Sequence, residues 1–120
     1  MAEKKVILYV DDEEINVQLF QINFSLHFDV LTGNSGFDGL ALLEKHPETN
    51  VIISDMKMPE MNGLEFIARA KEKYPEKRFY ILTGYEITDE IQEALSTGLI
   101  RRYFSKPFNM HEIEGAINEE

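Results

Sequence analysis

Cysteine is absent from the 120-residue sequence, and basic residues are scarce, with 12 Lys and Arg against 22 Asp and Glu. Without cysteine the chain has no disulfide and no thiolate metal site, so any metal ion must be held by oxygen or imidazole ligands. The formal net charge of −10 disfavours nucleic-acid phosphates and anionic membranes as direct partners, and it favours divalent cations. We therefore expect a cytoplasmic protein that does not bind nucleic acid directly.

Long apolar runs are missing as well. The longest uncharged stretch, residues 15–28, is shorter than a bilayer span and is interrupted by Asn and Gln side chains. No basic segment followed by an apolar one opens the chain, which argues against a secretory signal. Hydrophobic residues make up 43% of the sequence, which is enough for the core of one domain. The expected unit is a single domain over residues 1–120 that does not enter the membrane.

Five short apolar segments alternate with five amphipathic ones. The apolar segments predict strands at residues 6–10, 28–32, 51–55, 78–82 and 102–105. Apolar residues at helical spacing predict the helices between them, and the first helix carries Ile15, Leu19, Ile22 and Leu26 at this spacing. This alternation favours an α/β fold with a doubly wound parallel sheet and right-handed crossovers. In such a fold, ligands bind beyond the carboxyl ends of the strands.

Small polar residues mark where four of the helices should begin. Side chains of this kind accept hydrogen bonds from the free backbone N–H groups in the first turn of a helix. The predicted caps lie within residues 33–35 and at Asn62, Thr88 and Asn109, the last of which is paired with Glu112.

Chemically unusual residues follow four of the predicted strands. They are Asp11 and Asp12 after the first strand, Asp55 at the end of the third, Thr83 after the fourth and Lys106 after the fifth. Because the carboxyl ends of parallel strands share one edge of the sheet, these side chains are expected to converge. Three carboxylates in one place repel each other unless a cation compensates, and Mg²⁺ is the hard, oxygen-preferring ion that fits best.

Together these groups suit phosphoryl transfer. A carboxylate next to Mg²⁺, a hydroxyl and an ammonium supplies a nucleophile, charge neutralisation and two donors to phosphoryl oxygens, so the expected product is an aspartyl phosphate. Taken singly, Asp12 is equally well explained as a helix cap, Thr83 as a turn or strand residue, and Lys106 as a surface lysine. Asp55 differs, because Pro59 delays the next helix, so helix capping is not an obvious role for its carboxylate.

The motifs at these strand ends resemble the receiver domain of two-component response regulators. The shared features are the Asp11-Asp12 pair, the D-x-K-M-P-x-M-x-G loop over residues 55–63, Thr83, and the Lys106-Pro107 step. The resemblance covers essentially the whole chain and is of the chemotaxis-regulator kind. It implies a flavodoxin-like, five-stranded parallel sheet in the order 2-1-3-4-5 with five helices.

The resemblance also implies a metal site. Asp55 is expected to be both the phosphoacceptor and a ligand of Mg²⁺. Asp12 is expected to bind the metal directly and Asp11 to bind it through water. The backbone carbonyl of Lys57 would complete the protein's share of the ligands.

Further residues are assigned to catalysis and to the switch by the same resemblance. Thr83 is expected to bind the phosphoryl group and Lys106 to pair with it, so that both act with Asp55. Tyr103 is the aromatic residue expected to move with Thr83. The Lys106-Pro107 peptide bond is expected to be cis, as it is in similar proteins.

The implied function is that of a phosphorelay receiver. It takes a phosphoryl group on Asp55 from a sensor histidine kinase or a histidine phosphotransfer protein, with Mg²⁺ as cofactor. It then switches the face made by the fourth helix, fifth strand and fifth helix, which controls an output domain or a partner protein and favours a homodimer. Such a receiver phosphorylates and dephosphorylates itself and is not a turnover enzyme. Lys57 and Tyr85 match positions beside the path of the hydrolytic water, where their bulk is expected to slow hydrolysis.

Other functions compatible with the same fold remain open. A receiver-like binding module that is never phosphorylated would act through its surface alone. An aspartate-nucleophile phosphatase needs a second Asp two residues after the nucleophile, where this chain has Lys57. A flavin carrier needs a hydroxyl- or glycine-rich phosphate loop after the first strand, and this loop instead contains four acidic residues, 11–14.

Overall fold

The structure, a computed structural model, describes residues 4–84, 87–107 and 109–119. It contains the strands β1 (Lys5–Val10), β2 (Phe28–Gly33), β3 (Val51–Asp55), β4 (Arg78–Thr83) and β5 (Arg102–Ser105). All of them pair in parallel within one sheet, in the order β2-β1-β3-β4-β5. The doubly wound α/β prediction and the strand order are therefore confirmed, and each strand lies within one residue of its predicted bounds.

The connections are the helices α1 (Glu14–Phe24), α2 (Gly36–Lys45), α3 (Gly63–Lys73), α4 (Asp89–Ser96) and α5 (Met110–Asn118). Within the described ranges, no helix combines the length and the apolar character that a membrane crossing requires. Four helices begin at predicted caps, because Ser35, Asn62, Thr88 and Asn109 each accept a hydrogen bond from the backbone N–H three residues later. The N-cap of α1 is Glu13, which makes no side-chain cap bond, so Asp12 is not the cap of this helix.

Helices cover both faces of the sheet, which explains why its strands are almost wholly apolar. Side chains alternate between the faces along each strand. Leu8 and Ile52 belong to the hydrophobic cluster that includes residues of α2, α3 and α4. Ile7 and Ile53 belong to the cluster on the opposite face, which includes residues of α1 and α5. The core is thus two apolar layers separated by the sheet, and polar groups are left to the strand ends.

The apolar residues that predict α1 do not face the core. Ile15, Leu19 and Ile22 are 67%, 46% and 73% exposed, and Leu26 lies beyond the end of the helix. The buried side of α1 is formed by Phe20 and Phe24, whose rings stack with centroids 4.4 Å apart. Because aromatic rings bury more apolar area than aliphatic side chains, their burial determines how the helix is oriented on the sheet. The result is an exposed apolar stripe on α1.

Candidate functional site

Side chains from four strand ends lie along one edge of the sheet. Asp11 follows β1, Asp55 is the last residue of β3, Thr83 is the last residue of β4, and Lys106 follows β5. The ends of β4 and β5 are joined where the Lys106 N–H donates to the Thr83 carbonyl oxygen at 2.8 Å. An open pocket of about 440 Å³ lies over this edge and is lined by Asp12, Glu13, Asp55, Lys57, Gly84 and Lys106. The convergence expected from parallel strands is therefore present.

Asp11, Asp12 and Asp55 form a compact acidic group. One carboxylate oxygen from each of them lies within 4.8 Å of the others. Asp11 is fully buried, Asp55 is 6% exposed and Asp12 is exposed, so the group is closed towards the protein and open towards solvent. All of these ligand atoms are carboxylate oxygens, which hard divalent cations prefer, and a cation would offset the repulsion between the three charges. The residues therefore fit Mg²⁺.

Lys106 contacts two members of the acidic group. Its Nζ lies 2.9 Å from Asp55 Oδ1 and 3.7 Å from Asp11 Oδ2. The peptide bond between Lys106 and Pro107 is cis, as expected. The Lys106 side chain is about one-quarter exposed and lines the open pocket, where a bound molecule could reach it.

The charges of this edge alter one another's protonation. Burial raises the pKa of the Asp55 carboxyl from 3.8 to about 6; the charges of Asp11 and Asp12 act in the same direction, whereas Lys106 opposes them. Burial by itself lowers the pKa of the Lys106 ammonium, but the hydrogen bond and charge of Asp55 outweigh it, and the net shift is upward. At neutral pH Asp55 is therefore mainly ionised, as a nucleophile must be, and Lys106 is protonated.

The loop after β3 fits tightly against Asp55. The Gly63 N–H donates to the Met56 carbonyl oxygen at 2.8 Å, and a Cβ at Gly63 would collide with the carbonyl oxygen of Asp55. Asn62 and Glu65 then form a reciprocal capping box at the start of α3. Only glycine permits this approach, so the glycine of the loop motif brings the start of α3 against the backbone of Asp55.

Thr83 and Tyr103 lie outside the acidic group. Thr83 is 1% exposed. It lines a second cavity of about 250 Å³, between the loop after β3 and α4, together with residues such as Met58, Thr88 and Ile91. Tyr103 is half-buried and packs against the hydrophobic cluster that contains α4 residues. The threonine thus faces the cavity beside α4, whereas Asp12 and Asp55 line the open pocket.

The two residues expected to slow hydrolysis can be placed only in part. Lys57 is exposed and lines the open pocket beside Asp12 and Asp55. Tyr85 lies outside the described residues. The effect of its ring on water access stays a prediction from the sequence.

Tyr9 is a member of this edge that the sequence motifs do not single out. Its hydroxyl donates a hydrogen bond to Asp11 Oδ2 at 2.6 Å, and both residues are fully buried. The sequence nonetheless contains an indication of this contact, because residues two apart on a strand project to the same face. A polar-tipped residue two positions before a buried Asp, within an otherwise aliphatic strand, is expected to find that Asp as its partner.

The family of the chain is shown by comparison with known proteins. Residues 7–118 match the family described as the response regulator receiver domain. The chain belongs to this family. Receiver domains accept phosphoryl groups, bind Mg²⁺ at an acidic pocket, and interact with histidine kinases or phosphotransfer proteins and with output domains. In this receiver domain Asp11, Asp12 and Asp55 form an acidic group of the residue types that such a pocket needs.

Individual relatives agree with this assignment and differ in length. A chemotaxis protein CheY homolog from Campylobacter jejuni is 34% identical over 117 residues, which cover 94% of this receiver domain and 89% of that protein. The hydrogenase transcriptional regulatory protein HoxA from Cupriavidus necator is 31% identical over 109 residues, 90% of this chain but only 22% of HoxA. A response regulator receiver domain structure from Clostridium thermocellum superposes with a TM-score of 0.89 at 30% identity, covering 95% of this chain and 91% of that one.

Proposed function

We propose that this receiver domain, residues 1–120, takes a phosphoryl group onto Asp55 from the phosphohistidine of a sensor histidine kinase or a histidine phosphotransfer protein, in the cytoplasm. The observation that carries the proposal is the position of the Asp55 carboxylate, beside Asp11 and Asp12 and 2.9 Å from the Lys106 ammonium. In the described part of the chain, this is the one cluster of acidic or histidine side chains arranged to hold a metal ion. The residue types suit a nucleophile in a site that offsets negative charge.

The transfer forms one bond and breaks another. An oxygen of Asp55 attacks phosphorus, the P–N bond to the donor imidazole breaks, and the bonding electron pair stays on the imidazole nitrogen. Mg²⁺, when bound, would supply positive charge that offsets the phosphoryl oxygens. Asp12, Asp55 and the Lys57 backbone carbonyl would hold it directly, and Asp11 would hold it through water. The Lys106 ammonium pairs with a phosphoryl oxygen in place of Asp55 Oδ1. The Thr83 hydroxyl donates to another phosphoryl oxygen and completes the catalytic set.

Phosphorylation is proposed to switch the face made by α4, β5 and α5. Thr83 would move towards the phosphoryl group, and Tyr103 would follow it into the space that is released. The cavity of about 250 Å³ between Thr83 and α4 supports this, since it leaves room for the segment to rearrange. The new face controls an output domain or partner protein, and a phosphorylation-dependent homodimer would use it too.

The exposed stripe of α1 supports a protein as the phosphoryl donor. Leu19 of this stripe also lines a cavity of about 350 Å³ that reaches Lys106 and Pro107, so apolar surface continues from α1 to the site. Contiguous exposed apolar surface is typical of protein interaction sites. We expect Leu19→Glu to slow transfer from a phosphohistidine protein without slowing transfer from a small phosphodonor. Gln21→Glu, which adds the same charge at an exposed polar position of α1, is the matched control.

Phosphoryl labelling of the chain tests the assignment of Asp55 as the acceptor. The wild-type chain is incubated with Mg²⁺ and a small phosphodonor such as acetyl phosphate, and the added phosphoryl group is counted by intact mass spectrometry. Wild type should gain one group and Asp55→Asn none. Asp29→Asn, which changes an exposed Asp on β2, should be labelled like wild type. Full labelling of Asp55→Asn would remove the acceptor assignment.

The same assay separates the alternative functions. A receiver-like module that only binds partners would stay unlabelled with both small and protein donors. An aspartate-nucleophile phosphatase would release phosphate from excess donor over many turnovers. The proposed receiver instead accepts one phosphoryl group and loses it slowly to water, so it is not a turnover enzyme.

A further inference from the structure

Asp11 is held by two hydrogen bonds, one on each carboxylate oxygen. The Tyr9 hydroxyl donates to Oδ2 at 2.6 Å, and the Glu13 N–H donates to Oδ1 at 2.9 Å. Rotation of the carboxylate about its last bond would break both hydrogen bonds, so its plane is fixed. Each oxygen of an ionised carboxylate still has acceptor capacity after one hydrogen bond, and Asp11 can therefore also accept from a metal-bound water.

The tyrosine that supplies one of these bonds is itself held by packing. Its ring is fully buried and lies parallel to that of Phe20, with the centroids 4.1 Å apart. Phe20 in turn stacks on Phe24 in the same helix. The phenol therefore has little freedom to turn away from Asp11, and α1 is connected through it to the acidic group.

Burying a hydroxyl in the apolar layer between the sheet and α1 costs free energy unless the hydroxyl forms a hydrogen bond. The other side chains of β1 that are fully buried are aliphatic, namely Ile7, Leu8 and Val10. Burial and the hydrogen bond to Asp11 raise the pKa of the Tyr9 phenol, so the hydroxyl stays a donor at neutral pH. Tyr80, in the same hydrophobic cluster, is different: its hydroxyl donates to the Ala116 carbonyl oxygen and accepts from the Arg78 guanidinium, both at 3.5 Å.

We propose that Tyr9 is a positioning residue for Mg²⁺ binding, which fixes the orientation of Asp11 through its hydroxyl. The inference rests on the proposed function of the acidic group as the Mg²⁺ site. Groups that hydrogen-bond to metal ligands hold them in the orientation the ion requires, and their loss commonly lowers metal affinity 10- to 100-fold. Without the hydroxyl, Asp11 keeps one hydrogen bond, from the Glu13 N–H, and the Lys106 ammonium at 3.7 Å from Oδ2 is too far away to replace the lost one, so the carboxylate is less firmly oriented.

The test is the dissociation constant of Mg²⁺, measured by isothermal titration calorimetry on the intact chain without phosphodonor. Tyr9→Phe removes the hydroxyl and keeps the ring on Phe20, so we expect a dissociation constant about 10-fold higher than that of wild type. Tyr80→Phe is the matched control, because it removes a buried phenol from the same layer and should leave the dissociation constant unchanged. Thermal unfolding of both variants without metal checks that each is folded during the titration.

A double-mutant cycle tests whether Tyr9 acts through Asp11. If it does, Tyr9→Phe should add no further loss of affinity in an Asp11→Asn background. An unchanged dissociation constant in Tyr9→Phe, an equal loss in Tyr80→Phe, or full additivity with Asp11→Asn would each overturn the inference. If wild type itself binds no Mg²⁺, the proposed metal site fails, and the inference fails with it. Wild-type binding with an unaffected Tyr9→Phe would overturn the inference alone.

Discussion

The helix that follows the Asp55 loop and the helix that follows Thr83 both start near the carboxyl edge of the sheet, but they are anchored to different extents. Five of the 11 residues of α3 are buried, and its first turn is held by a capping box. Only two of the 8 residues of α4, Ile91 and Ala94, are buried, and a cavity of about 250 Å³ lies at its start. Segments with few buried contacts open at a lower free energy than the core. The proposed nucleophile is therefore attached to a firmly held segment, and the expected response lies in a weakly held one.

Because of this difference, we expect that acceptance of a phosphoryl group and transmission of the signal can be changed separately. The acids proposed to hold Mg²⁺ and to supply the nucleophile belong to the ends of β1 and β3, where Asp11 and Asp55 are almost fully buried. Thr83 and Tyr103 belong to β4 and β5. Thr83 lines the cavity at the start of the weakly anchored α4, and Tyr103 packs against the hydrophobic cluster that includes α4 residues. Substitutions of the acids should mainly change metal binding and labelling. Substitutions of Thr83 or Tyr103 should mainly change the structural response.

The largest effect is expected for Asp12, which is proposed to bind the metal ion directly. Asp12→Ala should raise the dissociation constant of Mg²⁺ by at least about 100-fold, which exceeds the loss typical of groups that only support a ligand. Isothermal titration calorimetry measures this dissociation constant. Asp29→Ala, an exposed Asp on β2, is the control and should bind Mg²⁺ like wild type. Equal affinities of Asp12→Ala and wild type would remove Asp12 from the ligand set.

The next effect concerns the free energy of unfolding. Because the folded-state pKa of Asp55 is raised to about 6 from an ordinary value of 3.8, the folded protein binds this proton more tightly than the unfolded chain. Stability from this group is present below the lower value and is lost as the pH rises through about 6. Asp55→Asn avoids that loss and should be more stable than wild type by about 1–3 kcal/mol at pH 7 without metal.

Chemical denaturation in a chelating buffer, over a pH series, measures this difference. The gain of Asp55→Asn should grow between pH 4 and pH 6 and should stay level above that range, because wild type alone ionises at this position. A stability gain of Asp55→Asn that is absent at pH 7, or one that is as large below pH 4 as above pH 6, would contradict the raised pKa of Asp55 as its cause.

A smaller effect tests the anchoring directly. Amide hydrogens of α4 should exchange with solvent at least about 10-fold faster than those of α3, after correction for their intrinsic rates, because opening of α4 exposes fewer buried residues. Hydrogen exchange followed by NMR gives both values from one unphosphorylated sample. If the amide hydrogens of α3 and α4 were equally protected from exchange, the two helices would not differ in anchoring. The expected separation of phosphoryl acceptance from the structural response would then lose its basis.

The smallest effect is expected at the rim of the pocket. Lys57 is exposed beside Asp55, so Lys57→Ala should open a path for water and shorten the lifetime of the aspartyl phosphate by a few-fold. The sequence predicts the same direction for Tyr85→Ala. Decay of the phosphorylated chain after removal of the donor measures both, with Lys45→Ala, an exposed lysine of α2, as control. Unchanged or slower decay would defeat the obstruction argument.

The fold was largely predictable because its signals are local. Apolar runs such as 51–53 give buried parallel strands, and polar caps such as Thr88 give helix starts. The orientation of α1 was not predictable in this way. Two sets of apolar residues on that helix compete for the core, and the outcome depends on stacking between Phe20 and Tyr9, a residue of β1. That contact exists only after the chain has folded.

The site was predictable to the extent that it follows from topology. Parallel strands bring Asp11, Asp55 and Lys106 to one edge whatever the details of packing, and the structure places them there. Two features depend on side-chain packing and could not be obtained from the motifs. They are the hydrogen bond from Tyr9 to Asp11 and the burial of Thr83 next to the cavity below α4.

The separation of acceptance from response is tested most directly by amide NMR spectra of the chain before and after complete phosphorylation. In wild type, we expect the largest shifts within residues 88–110, together with those next to Asp55. Thr83→Ala should take up the phosphoryl group more slowly. Once it is fully phosphorylated, it should shift mainly near Asp55, whereas Thr32→Ala, a half-buried threonine on β2, should respond like wild type. Shifts throughout residues 88–110 in phosphorylated Thr83→Ala that equal those of wild type would contradict the account.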